Sequence, residues 1–213
     1  MIKLYGFEVS NYYNMVKFAL LEKGLEFEEV NAMPSQEDEF KSKSPMGKIP
    51  YIETEQGFLT ETIAIMDYIE AFKPNPALVP ADIYAAAKVR EMMKVVELYI
   101  ELPTRRHYGE LFFGGDRDKT AEVEARPIIE KGLQAMKHLG SFSPFICGEF
   151  TNADIVAAHS FIYVAPVCQA VYGWDVMAEV PGLQDAIDAT NSRDVGKKVM
   201  ADHLVALKAF QEG

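Results

Sequence analysis

Residues 44–62, Ser-Pro-Met-Gly-Lys-Ile-Pro-Tyr-Ile-Glu-Thr-Glu-Gln-Gly-Phe-Leu-Thr-Glu-Thr, carry the residue types and spacing that can do chemistry in this chain. A short apolar strand follows Pro50, a Gln56-Gly57 turn follows the strand, and Glu61-Thr62 open a periodic helix. A cis bond before Pro50 would turn backbone groups sideways to a ligand, and cis bonds are essentially confined to X-Pro. At the helix start, Glu61-Thr62 offer free N–H groups, a hydroxyl and the positive end of the helix dipole, a seat for a carboxylate. The segment reads as a docking edge for an extended, peptide-like anion.

The elements that must position it follow from local periodicity. Ile2–Phe7 is β-rich, residues 11–24 form a helix ending at Lys23-Gly24, and Phe27–Val30 is a second strand. Residues 35–43 read as a short irregular helix, and Tyr51–Glu53 with Phe58–Leu59 as a hairpin. Ile63, Ile65, Met66, Ile69 and Phe72 are expected to form the buried face of the next helix. The order is βαβαββα, a small mixed sheet with helices packed on it. Lys73–Pro80, with three prolines, reads as a linker.

From Ala81 onward every element reads as helical. One long segment spans residues 82–113, with a kink expected at Pro103, and a second spans 117–139. A third helix starts at Thr151, and two shorter ones start from Pro181 and Arg193. Thr151-Asn152-Ala153-Asp154 is a capping box with Asp at the third helical position, flanked by Phe150 and Ile155 as a hydrophobic staple. That is a folding signal without a catalytic role.

The 213 residues carry a net charge of −11, spread along the chain, with no Lys/Arg run. This argues against a nucleic-acid partner. Two cysteines, Cys147 and Cys168, form no CxxC pair and read as reduced thiols. His107, His138, His159 and His203 lack ligand-like spacing, so no metal is expected. No signal peptide or membrane span is read, which makes a cytoplasmic protein without a membrane partner the expectation.

These features together resemble the cytosolic glutathione S-transferase family, over essentially the whole chain. The points of resemblance are Ser-Pro-Met-Gly-Lys-Ile-Pro, Glu61-Thr62 eleven residues after Pro50, the Pro-rich linker, and Phe-Thr-Asn-Ala-Asp at 150–154. The fold implied is a thioredoxin-like glutathione-binding domain (residues 1–79) followed by an all-α domain (residues 85–213) that contributes the pocket for an electrophile.

The resemblance implies that the backbone of Ile49, before a cis Pro50, pairs with the cysteinyl part of glutathione, and that Lys48 reaches its glycine carboxylate. Glu61-Thr62 would bind the γ-glutamyl end, with Gln36 and Ser10 among the other glutathione contacts. Strand-like backbone pairing, one cation and one helix N-terminus do suit a zwitterionic tripeptide.

The chemistry needs the glutathione thiol as thiolate, and a hydroxyl donor at the sulfur lowers its pKa. The family places that donor in the loop Glu8–Asn14, where Ser10 aligns with the serine of the phi- and theta-like classes and Asn11 and Tyr12 are the alternatives. Ser10 also reads as an ordinary helix cap, the reading that competes with the catalytic one. Tyr99, Arg105, Arg106, His107, Tyr108, Phe112 and Phe113 cluster in the long helix. Tyr12, Tyr99, Arg106 and Tyr108 are the residues expected at the electrophile, although aromatic core packing explains such a cluster as well.

The implied activity is conjugation of glutathione to a small hydrophobic electrophile by a homodimer. Glutathione-dependent reduction, dehalogenation or isomerisation is the alternative within enzymes, and a non-catalytic binding or interaction protein is the alternative outside them.

Overall fold

The computed structural model describes residues 1–212 and divides into two compact units. The first contains Met1–Leu78 together with the chain from Asn191 onward, and the second contains Val79–Thr190. The C-terminal helix, expected with the helical domain at 85–213, therefore belongs to the first unit.

In the first unit the order is β1 (Ile2–Gly6), α1 (Asn11–Glu22), β2 (Phe27–Asn31), α2 (Asp38–Lys41), β3 (Tyr51–Thr54), β4 (Gly57–Thr60) and α3 (Thr62–Phe72). The sheet order is β2-β1-β3-β4, with β1 parallel to β2 and the other two pairings antiparallel. This is the thioredoxin-like arrangement that the βαβαββα pattern predicts. Along β1, Ile2, Leu4 and Gly6 are buried and alternate with half-buried residues, as a strand covered on one face requires. Ile63, Ile65, Met66 and Ile69 of α3 are buried. Phe72 is not: at the last position of α3 it is 59% exposed. The linker is anchored, because the buried Lys23 ammonium donates to the carbonyls of Pro74 (3.3 Å) and Pro76 (2.6 Å) and pairs with Glu70.

The second unit holds α4 (Ile83–Val95), a π-helical turn at Val96–Glu101, α5 (Leu102–Arg105), α6 (Tyr108–Phe112), α7 (Lys119–Leu139) and α8 (Asn152–Tyr172). The helix α9 (Leu183–Ser192) leads to α10 (Asp194–Glu212), which at 19 residues is not a short one.

The single helix expected over 82–113 is broken into four pieces. Pro103 has no N–H for the carbonyl of Tyr99, and just before it the Leu102 N–H reaches back five residues to Glu97, widening the turn. Across from this turn a β-carbon on Gly132 of α7 would lie 2.8 Å from the Tyr99 carbonyl oxygen, so glycine permits the close approach.

The capping box forms as its spacing predicts. The Thr151 N–H donates to Asp154 Oδ2 (2.9 Å), and the Thr151 hydroxyl accepts from the Ala153 N–H (3.3 Å). Asp154 also accepts from the Ile146 N–H at 2.7 Å. Burial holds its carboxyl above the usual range, and these hydrogen bonds only partly offset the shift.

Although the sequence reading finds no membrane span, α8 is long and apolar enough to cross one by length and composition. Its residues Ala153–Phe161, Val164, Val167 and Cys168 are buried within the protein, the position of a core helix. Cys147 and Cys168 are both free thiols.

Candidate functional site

Strand register decides what meets at one end of the sheet. Tyr51 of β3 pairs with Tyr5 of β1 and with Thr60 of β4. One step beyond that row lie Gly6, Pro50 and Glu61. The loop after β1, the segment before β3 and the start of α3 therefore leave the sheet at the same end.

The segment before β3 is rigidly braced. The Ile49–Pro50 bond is cis, as expected, and Pro50 is buried. The Ser44 hydroxyl donates to the Lys48 carbonyl (2.7 Å), and the Ser35 N–H donates to the Gly47 carbonyl (3.1 Å). Gly47 has φ +66°, and a β-carbon there would sit 2.3 Å from Gln36 Nε2. Glycine is thus required on both counts. Gln36 in turn donates to the Met46 carbonyl at 3.4 Å. Gln36, Lys48, Ile49 and Pro50 consequently belong to one braced segment, with the side chains of Gln36 and Lys48 at the surface.

Glu61 adopts φ 67° and ψ 111°, a backbone region that side chains other than glycine rarely occupy. Such strain costs on the order of 1–3 kcal/mol and persists where surrounding structure enforces it, commonly at ligand sites. Glu61 is exposed at the N-cap of α3, its side chain makes no capping bond, and Thr62 behind it is buried. The first-turn N–H groups of α3 and the Glu61 carboxylate therefore lie at the same end of the sheet as Pro50.

In the loop after β1, Ser10 does cap α1: its hydroxyl accepts from the Tyr13 N–H at 3.3 Å. A hydroxyl that accepts one bond still has its own proton to donate, so the capping and catalytic readings are compatible. Of the alternatives, Asn11 is 2% exposed, and Tyr12 is half-buried on the first turn of α1. Tyr13 packs its ring on Gly6 and donates its hydroxyl to Glu29 (2.6 Å). Burial, and then that hydrogen bond, push its pKa far above the usual tyrosine value, and the proton committed to Glu29 removes it as a donor to a thiolate.

Behind this loop lies a charged cluster that local sequence patterns do not reveal. Lys17 of α1, 2% exposed, places its ammonium 2.7 Å from Glu29, 2.9 Å from Asp202 of α10 and 3.6 Å from Glu8. Burial disfavours the charged form, but hydrogen bonds to Glu29 and Asp202 outweigh it, so the Lys17 pKa is raised. Farther along the same helix pair, Arg193 grips Glu22 through two bonds of 2.8 and 3.0 Å.

Of the residues expected at the electrophile, Tyr12 lies on α1 in the first unit, and the other three fall in different settings within the second. Tyr108 donates to the buried Glu101 at 3.3 Å, lies under the Arg105 guanidinium at 4.9 Å, and packs against Phe112 and Tyr163. Arg106 is drawn instead to Glu124 on α7 (2.9 Å), and Tyr99, 50% exposed, lies on the π-helical turn. Glu101 and Tyr163 were missing from the sequence reading of this cluster. The four-residue spacing of Glu101 and Arg105 was the available signal.

A groove of about 300 Å³ at the opposite end of the sheet, lined by Met1, Ile2, Leu25 and Thr54–Gln56 among others, contains none of the expected glutathione residues. Among the described residues no cluster of three or more His, Cys, Asp or Glu side chains is placed to hold a metal.

Residues 4–77 match the family model for the glutathione S-transferase N-terminal domain. A glutathione S-transferase of Pseudomonas putida is 43% identical over all 213 residues, covering 100% of this chain and 97% of that protein. A maleylpyruvate isomerase of Ralstonia sp. is 31% identical over 67% of this chain and 70% of that protein. Among solved structures, the maleylacetoacetate isomerase from Anaeromyxobacter dehalogenans 2CP-1, determined with bound glutathione, superimposes with a TM-score of 0.74. It covers 95% of this chain and 96% of that one at 22% identity, a likeness of fold. The chain belongs to the glutathione S-transferase family.

Proposed function

We propose that this protein binds glutathione at the sheet end formed by Ser10, Ile49–Pro50 and Glu61–Thr62, activates its thiol, and transfers it to a small hydrophobic electrophile. The convergence of those three segments, set by the Tyr5–Tyr51–Thr60 row, is the observation that carries this reading. In it the Ile49 backbone pairs with the cysteinyl residue, while Lys48 and Gln36 face the glycine carboxylate. Glu61 accepts from the γ-glutamyl ammonium, and the N-terminal turn of α3 with Thr62 receives its carboxylate.

Ser10 then donates a hydrogen bond to the sulfur, and the thiol's own proton passes to solvent. This favours the thiolate over a thiol whose unperturbed pKa is about 8.5. The thiolate attacks the electrophile; one S–C bond forms, and the leaving group departs or the adduct takes up a proton. Asn11, which is buried, and Tyr12, half-buried on the first turn of α1, are the alternative donors. Homodimeric assembly and a cytoplasmic location complete the proposal, on the family pattern.

Calorimetric titration with glutathione tests the binding half. The expected result is saturable binding that weakens roughly tenfold or more in Thr62→Ala, through loss of a charge-assisted hydrogen bond. No binding at millimolar glutathione would overturn both the transferase and the isomerase readings. Glutathione-dependent isomerisation is the second reading, favoured by the likeness to the Ralstonia maleylpyruvate isomerase. Product analysis separates the two, since an isomerase regenerates free glutathione.

A further inference from the structure

We propose that His203, acting with Asn14, is a positioning residue for thiol activation: the two hold the carbonyl of Glu8 and so fix the loop that presents Ser10. This inference rests on the assignment of Ser10 made above.

Only Phe7–Ser10 connect β1 to α1, and the Ser10 N–H already donates to the Phe7 carbonyl at 3.0 Å. Glu8, in the middle of that connection, is gripped from three directions. Its carbonyl oxygen accepts from Asn14 Nδ2 of α1 (2.7 Å) and lies 2.8 Å from His203 Nδ1 of α10. Its carboxylate lies 3.6 Å from the Lys17 ammonium.

A carbonyl can only accept, so His203 Nδ1 must carry a hydrogen. The 3.3 Å separation of Asn14 Nδ2 and His203 Nδ1 is then two donors sharing one oxygen, which has a lone pair for each. Asn14 and His203 are 0% and 1% exposed, so water has no access to replace a lost donor. Every charged group around the loop is committed as well: Lys17 holds Glu8, Glu29 and Asp202, and Tyr13 donates to Glu29.

Two neighbouring residues of α10 thus support one loop. Asp202 fixes the helix to Lys17, and His203 reaches the Glu8 carbonyl directly. Asn14 and Lys17 share a face of α1 at a spacing of three residues, which lets α1 and α10 clamp the loop together. A hydroxyl that must meet a thiolate sulfur in a narrow range of distance and angle needs such a brace, since a misplacement of about 1 Å can cost about 10²-fold in rate.

The test compares His203→Phe, which keeps bulk and loses the donor, with His203→Asn, whose amide can still donate near the Nδ1 position. The thiol pKa of bound glutathione is read from thiolate absorbance against pH, and affinity from S-methylglutathione, which has no thiol to activate. For His203→Phe the expectation is a rise of about one pKa unit and a roughly tenfold lower kcat/KM at neutral pH, with S-methylglutathione affinity changed less than about twofold. His203→Asn should stay within about threefold of the parent in kcat/KM. The double variant Ser10→Ala/His203→Phe should be no slower than Ser10→Ala alone, because one pathway is removed only once.

An unchanged thiol pKa in His203→Phe, with a raised one in Ser10→Ala, overturns the role of His203 and leaves Ser10 standing. If Ser10→Ala itself leaves the thiol pKa unchanged, the Ser10 assignment falls and this inference with it. A further loss of rate in the double variant, or equal losses in the Phe and Asn variants, assigns His203 to the fold alone and overturns the proposal.

Discussion

Replacing Lys17 with methionine removes the ammonium shared by Glu8, Glu29 and Asp202, leaving only Lys198 on Asp202, while keeping most of the side chain's volume. Deleting one partner of a fully buried ion pair typically costs about 3–5 kcal/mol. Here the lysine is 2% exposed, but the three carboxylate side chains are 35%, 39% and 31% exposed and can recover part of their hydration. The expected loss at neutral pH is therefore about 2–3 kcal/mol.

The pH dependence gives a second, independent sign. Burial raises the Asp202 pKa, but hydrogen bonds to Lys17 and Lys198 outweigh it and leave the carboxyl below its usual value. A carboxyl depressed in the folded state stabilises above its unfolded pKa of about 3.9 and loses that contribution as pH falls through the lower folded value. In Lys17→Met most of the depression disappears, so stability should fall less steeply below about pH 4 than in the parent. Urea unfolding at neutral pH and through the acid limb measures both. A neutral-pH loss under about 1 kcal/mol, or an unchanged acid slope, would show that the cluster is solvated and holds α10 only weakly.

Three further outcomes follow from packing and hydrogen bonds. Asp154→Ala removes acceptors for the Ile146 and Thr151 N–H groups and should cost about 2–4 kcal/mol in urea unfolding, against about 0.5–2 for Thr151→Ala. Gly132→Ala drives a β-carbon to within 2.8 Å of the Tyr99 carbonyl oxygen and Ile100 Cγ1, and should lower stability by about 1–3 kcal/mol. Gly47→Ala meets both a positive φ and the Gln36 amide, so a lower melting temperature should accompany a raised dissociation constant for glutathione. Unchanged affinity in a folded Gly47→Ala protein would separate that loop from the ligand.

The sequence signals that proved readable were local ones. Gly24, the apolar spacing of α3 and the Thr151–Asp154 box each act within a few residues of themselves, so the order of elements and the start of α8 follow from pattern alone. The same holds for the placement of Pro50 and Glu61–Thr62, which flank one hairpin. The break in the helix over 82–113 was only half legible. Pro103 announced a disturbance, but neither its form as a π-helical turn nor the close approach of Gly132 from another helix has a local signal. The positive φ of Glu61 had no signal at all, since glycine is what such a conformation ordinarily announces.

Least legible was the support of the Ser10 loop. Glu8 and His203 are 195 positions apart, and only the packing of α10 onto the first unit joins them. Local periodicity assigned α10 to the helical half because a helix pattern carries no address for its partner.

The most direct test of the account is the thiol pKa of glutathione bound to the parent and to Ser10→Ala. The account predicts a bound thiol well below its free value of about 8.5 in the parent, and a rise of at least about one unit, or 1.4 kcal/mol, in Ser10→Ala. Identical pKa values in the two proteins, with glutathione bound equally well, would contradict it.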